Sequence, residues 1–200
     1  MTGQLKAVPD QKNNITIRQL IIMRITEKFA FCPVCGSSHF TTDSVKSKKC
    51  DNCGFEYFVN PASSNAAFIL DNEGRLLVER RLREPAKGTL DLPGGFADAG
   101  ETAEEGVIRE VREETGLEIT SPRYMFSLPN SYRFSGIDIP TLDLFFLCRV
   151  TDTTKLRAGD DAAECFWMAP EDIHTELFGL SSIRYGLSIF KDMIDKGKLP

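Results

Sequence analysis

The 23 residues from Gly95 to Leu117, GFADAGETAEEGVIREVREETGL, limit what this chain can be more than any other stretch. Glu110, Glu113 and Glu114 stand at i, i+3 and i+4, so on a helix they fall within about 100° of one another. Val107 and Val111, four apart, mark a different stripe, flanked by Ala103 and Ile108. Such a helix has one face to bury and another crowded with negative charge. The crowding is unfavourable unless a cation offsets it, and clustered hard oxygen ligands suit Mg2+ or Mn2+. A solvated acidic face is the commoner use of this pattern. The residues around the carboxylates decide between the two.

Their spacing runs Gly95, five residues, Glu101, seven residues, Arg109-Glu110-Val111, one residue, Glu113-Glu114, one residue, Gly116-Leu117. All nine specified positions of the Nudix box are filled, and the chain resembles the Nudix hydrolase superfamily. The resemblance implies an α/β fold, an α/β/α sandwich whose mixed sheet lies between helices. It implies Mg2+ or Mn2+ as catalytic cofactor, held by Glu110, Glu113 and Glu114, with the Gly94 carbonyl completing the shell. Glu101 near the helix start, where the dipole favours an anion, pairs in the family with the arginine of the box, here Arg109. That makes both orienting residues of the catalytic set. Glu164, three before Trp167, matches a family glutamate at the mouth of the site that binds metal or takes the water's proton. Which glutamate is the base varies across the family and stays open.

Upstream, Cys32-Pro-Val-Cys35-Gly36 and Cys50-Asp-Asn-Cys53-Gly54 form two knuckles separated by fourteen residues. Four thiolates close a tetrahedral zinc site, and the glycine after each pair permits the turn that aims amides at sulfur. With every position filled by protein, the expected Zn2+ is structural. It staples a module too small to fold on its own core. Lys46, Lys48 and Lys49 between the knuckles read as solvated, or as offsetting the thiolate charge. Cys148 and Cys165 lack ligand spacing and read as core residues.

The expected organisation is an N-terminal extension over 1–28, poorly ordered and with Met23 as the true start, then a zinc ribbon over 29–60 and a Nudix domain over 61–200. No apolar run is long enough to span a bilayer; Arg18 and Arg24 interrupt the segment from Ile15 to Ile25. A cytoplasmic protein with no membrane partner is expected. A net charge of −5 argues against broad electrostatic capture of nucleic acid.

Asn65–Leu70 and Leu76–Arg81 read as strands around the turn Asp71-Asn72-Glu73-Gly74. Arg80 and Arg81 stand where incoming phosphates could be met, though such clusters are usually solvated strand ends. SLPNSYRFSGIDIP reads as a turn-rich segment ahead of a buried strand over Thr141–Val150. A loop stacking a base through Tyr132 and Phe134, and an ordinary hairpin, are equally open. Ser181–Lys196 reads as an amphipathic helix with Ile183, Leu187, Phe190 and Ile194 inward.

A zinc ribbon before a Nudix domain is similar to the NADH pyrophosphatase group, although that group's downstream Ser-Gln-Pro-Trp-Pro-Phe-Pro type signature is missing. The resemblance implies metal-dependent hydrolysis of a diphosphate linkage in a nucleoside diphosphate-X substrate such as NAD(H) or ADP-ribose. Two alternatives are a nucleotide-sensing regulator, disfavoured by the intact carboxylate set, and processing of nucleotide-capped RNA ends, which the acidic balance does not favour. Many relatives pair into homodimers, and the resemblance implies no more than that about assembly.

Overall fold

The computed structural model describes residues 25–159 and 162–199. Met23 and most of the expected N-terminal extension lie outside the described residues; of that extension, 25–28 are described and are helical. The chain divides into two compact units. One takes the chain up to Pro61 with Arg133–Pro140, and the other Ala62–Tyr132 with Thr141 onward.

In the first unit, β1 (Phe40–Ser44), β2 (Ser47–Cys50) and β3 (Glu56–Phe58) form an antiparallel three-stranded sheet. Its core is small: Cys32, Phe40 and Cys50, with Phe29, Phe55 and Tyr57 packed against them. Lys48 departs from the solvated reading. It is buried, donates from Nζ to the Phe29 carbonyl at 2.6 Å, and lies 5.0 Å from the Phe40 ring centre. Lys46 and Lys49 are exposed.

The second unit is built on a six-stranded mixed sheet. β4 (Ala62–Leu70) and β5 (Leu76–Arg81) make the expected hairpin. Asp71 shapes its turn, its Oδ1 accepting from the amides of Glu73 and Arg75 at 3.0 and 2.8 Å. β6 (Leu90–Asp91) and β9 (Ala162–Met168) each pair antiparallel with β5, and β8 (Ile137–Arg149) runs parallel to β4 from Thr141 to Arg149. β7 (Arg123–Phe134) flanks β8. The segment SLPNSYRFSGIDIP is therefore hairpin, not pocket loop. Ser135 and Gly136 both take positive φ, 48° and 76°, the backbone hand a two-residue hairpin turn needs.

Period-two alternation assigns each strand residue to a face. Ala66, Phe68 and Leu70, with Phe145 and Leu147, join the core containing Ile183, Leu187 and Phe190 of α2 (Ser181–Asp195). Ala67 and Ile69, with Phe146 and Cys148, join the core containing Val107 and Val111 of α1 (Ala103–Thr115). The apolar stripe of the box helix is thus buried against one side of the sheet. α1 starts at a capping box, Thr102 with Glu105, and stops at Gly116 in the left-handed region.

Candidate metal and catalytic sites

The two knuckles repeat one backbone design. The amide of Gly36 donates to Cys32 O and that of Gly54 to Cys50 O, both at 2.9 Å. The thiols converge. Sγ of Cys32 lies 3.7 Å from Cys53, Cys35 lies 3.6 Å from Cys50, and all four sulfurs fall within 4.8 Å. A disulfide needs about 2.05 Å. A tetrahedron with Zn–S near 2.3 Å needs sulfurs about 3.8 Å apart, so the donor set fits zinc. Four thiols this close cannot all ionise without a cation. The Ser37 amide first, with the Asn52 side chain, draws the Cys35 thiol down to about 6.

In the second unit the loop entering the box lies along β4. Asn65 N donates to Gly95 O at 2.7 Å, Ala67 N to Pro93 O at 2.9 Å, and Ala97 N to Ser63 O at 3.1 Å. The approach requires glycine: a Cβ on Gly94 would lie 2.1 Å from Asn65 O, and one on Gly95 would lie 2.6 Å from the Glu110 carboxylate. The loop is therefore a cradle for that carboxylate.

Arg109 organises the exposed side of α1. Its Nη2 and Nε donate to Glu101 at 2.7 and 3.1 Å, and its Nη1 to Glu110 at 2.9 Å and Glu113 at 3.2 Å. Nη2 also holds the Phe96 carbonyl at 3.1 Å. Hydrogen bonds from Arg109, then from the Asp98 amide, keep the Glu101 carboxyl below its usual range. Glu114 faces the sheet side, 9% exposed, its Oε2 accepting the Gly94 amide at 2.7 Å.

Two buried carboxylates join this cluster that the sequence reading did not single out. Burial first, and then the charge of Glu79, push Glu114 well up, with Glu110 and Asp91 adding to it. Glu79 is one pleat beyond buried Leu77, on the sheet face that α1 covers. Asp91 lies inside Leu90-Asp91-Leu92 and is buried, pairing with Arg81 and accepting from the Leu92 amide at 2.9 Å. The signal available was a carboxylate in phase with buried Leu77 for Glu79, and a carboxylate flanked by apolar Leu90 and Leu92 for Asp91.

Of the substrate candidates, the structure brings Arg81 and Tyr132 together. The Arg81 guanidinium donates to Tyr132 Oη at 3.2 Å, and the Tyr132 ring meets Phe96 edge-on at 5.5 Å. Phe134 belongs to the other unit, exposed at the hairpin tip. Arg80 and Glu164 face each other across β5 and β9 in a 2.6 Å ion pair. Cys148 and Cys165 pack in the α1-side core, where burial pushes both thiols up to about 12, outside the reactive range.

Burial also raises Glu110. Both Glu110 and Glu114 therefore bind protons more tightly folded than unfolded, so their contribution to stability falls as pH rises from the ordinary carboxylate range through the raised values. A divalent cation binds the ionised form and reverses the sign. In EDTA, wild type should lose thermal stability relative to Glu114→Gln as pH rises above the ordinary carboxylate range. With Mg2+ that loss should shrink or invert. Parallel unfolding curves for the two proteins at every pH would contradict the assignment.

A NUDIX domain family model matches residues 61–185. The ADP-ribose pyrophosphatase of Methanocaldococcus jannaschii is 34% identical over 119 residues, 58% of this chain and 67% of that protein. The NAD-capped RNA hydrolase NudC of Haemophilus influenzae is 32% identical over 128 residues, 64% of this chain and 48% of that protein. The chain thus spans about half the length of that NudC relative. A crystal structure of a NUDIX hydrolase from Nitrosomonas europaea has a TM-score of 0.67 at 20% identity, covering 84% of this chain and 93% of that one, a likeness of fold alone.

Proposed function

Because the chain belongs to the Nudix family, we propose that it hydrolyses the diphosphate linkage of a nucleoside diphosphate-X compound, with ADP-ribose and NAD(H) as the first substrates to test. The observation that carries this reading is the pairing of half-buried Glu110, for whose carboxylate the glycine at 95 leaves room, with buried Glu114, which accepts the Gly94 amide. One guanidinium, Arg109, is shared among Glu101, Glu110 and Glu113, so its single charge leaves the cluster net negative, a site for a hard cation.

Glu110, Glu113 and Glu114 would hold Mg2+ or Mn2+, with the Gly94 carbonyl and Glu164 as further ligand candidates. The cation supplies charge neutralisation for phosphoryl oxygens and Lewis acidity. Arg109 fixes Glu110 and Glu113 relative to Glu101. The Gly94 amide orients Glu114. A carboxylate whose affinity for protons is raised by burial, such as Glu110, is suited to accept the proton of the attacking water. Glu164, tied to Arg80, is the other candidate for that role. Arg81 and Tyr132 form one edge where a phosphate and an aromatic ring can be met. In the ribbon, Cys32, Cys35, Cys50 and Cys53 hold Zn2+ in a structural role.

The name of the NudC relatives motivates a second reading, nucleotide-capped RNA as substrate, with exposed Lys46 and Lys49 as the basic groups to watch. Purified protein with Mg2+ should convert ADP-ribose to AMP and ribose 5-phosphate, or NADH to AMP and reduced nicotinamide mononucleotide, as separated by chromatography. Cleavage of capped RNA alone, with a steep salt dependence, would move the assignment to the RNA end. Absence of cleavage of all three would overturn it.

A further inference from the structure

Strand β4 carries a buried amide that neither the core nor the chemistry above has used. Asn65 is 2% exposed, and neither its Oδ1 nor its Nδ2 has a hydrogen-bond partner among the described residues. An amide left in that condition costs stability that an apolar side chain of similar size would not. Alternation puts its side chain on the face shared with Ala67 and Ile69, toward α1. Above it stands Gly106, a residue that an ordinary helix interior disfavours relative to alanine. A Cβ on Gly106 would lie 2.7 Å from Asn65 Nδ2 and 3.0 Å from Glu101 Oε1. The glycine opens a slot in which an amide donor and a carboxylate acceptor approach the same point.

We infer that Asn65 is a positioning residue of the site. A small displacement of Glu101 across the Gly106 slot brings its carboxylate onto the Asn65 amide. Glu101 has the capacity: an ionised carboxylate offers about four acceptor positions, and Glu101 receives Arg109 twice and the Asp98 amide once. The Glu101–Arg109 pair, and through Arg109 the carboxylates of Glu110 and Glu113, are thereby fixed from the sheet side. The same residue holds the loop by its main chain, through Gly95 O. Asn65 thus ties both the loop and the orienting pair to one strand. This rests on the reading that those glutamates hold the cation.

The test separates donor from shape. Asn65→Asp keeps the outline and, when ionised, removes the N–H groups; Asn65→Leu removes all polarity. Each is made in the native and Glu101→Gln backgrounds. Unfolding is followed without metal through Trp167, the chain's single tryptophan, which packs on the α1-side core. Asn65→Asp should lower the midpoint by several degrees in the native background and by less than half as much in the Glu101→Gln background. An equal drop in both backgrounds would overturn the contact. Asn65→Leu should keep or raise the midpoint yet weaken Mn2+ binding about tenfold, the equivalent of about 1.4 kcal/mol. Wild-type Mn2+ affinity in that variant would overturn the positioning role. Titrating Glu114→Gln alongside keeps the two readings apart. Undiminished Mn2+ binding there would sink the metal assignment, while the metal-free unfolding cycle would still decide the Asn65–Glu101 contact.

Discussion

Glu114→Gln is expected to lower turnover at least about a thousandfold, the scale on which removing one preorganised electrostatic partner acts. Glutamine matches the carboxylate in size, and its amide oxygen can still accept the Gly94 amide that now lies 2.7 Å from Glu114. The fold has no reason to suffer. Glu114 is buried beside Glu79 and Asp91, and its ionised form is the costly one. Without metal the variant should therefore unfold at the wild-type temperature or above it. The combination is diagnostic: activity lost, stability kept or gained, and Mn2+ binding weakened. Steady-state rates and a thermal scan in EDTA measure it. A variant with near-normal rates would remove Glu114 from the cation site, and one that unfolds in EDTA would show that the charge serves the fold instead.

Cys50→Ser carries the second large effect, in the other unit. Cys50 is completely buried and its thiol meets Cys35 at 3.6 Å. The first unit has little else to hold it. Its core beyond the cysteines is a handful of aromatic rings, and no strand of its three-stranded sheet exceeds five residues. Structural zinc supplies about 10–16 kcal/mol in modules of this size. Losing one thiolate should reduce bound zinc from one per chain to none, as measured by atomic absorption, and should open residues 29–60 to rapid proteolysis. Retention of stoichiometric zinc in the variant would mean that the metal is held elsewhere. Loss of zinc with unchanged protease resistance would mean that the aromatic core suffices.

The parts legible in the sequence were those where spacing alone sets geometry. Glu110, Glu113 and Glu114 share a helix side because three and four residues make about one turn. The Cys-x-x-Cys knuckles converge because each is one tight turn. Val107 and Val111 are buried because the other face is charged. The parts that escaped depend on partners far apart in sequence. Lys48 read as solvated, yet β2 turns it inward onto the Phe29 carbonyl and the Phe40 ring. Glu79 and Asp91 look like ordinary strand residues until β5, β6 and α1 enclose them. Tyr132 and Phe134, two apart in β7, fall in different units because the boundary lies between Tyr132 and Arg133. The partner of Arg80 is 84 residues away, a pairing set by the register of β9 on β5.

The central claim is that the glutamate cluster directs water onto phosphorus. Hydrolysis of ADP-ribose in 18O-water with Mg2+, followed by mass spectrometry of AMP and ribose 5-phosphate, tests it most directly. One 18O atom in the phosphate of one product, formed at least about a thousandfold more slowly by Glu114→Gln, is the predicted result. Formation of ADP and ribose instead, with the label in the ribose hydroxyl, would place the attack at carbon and contradict the account.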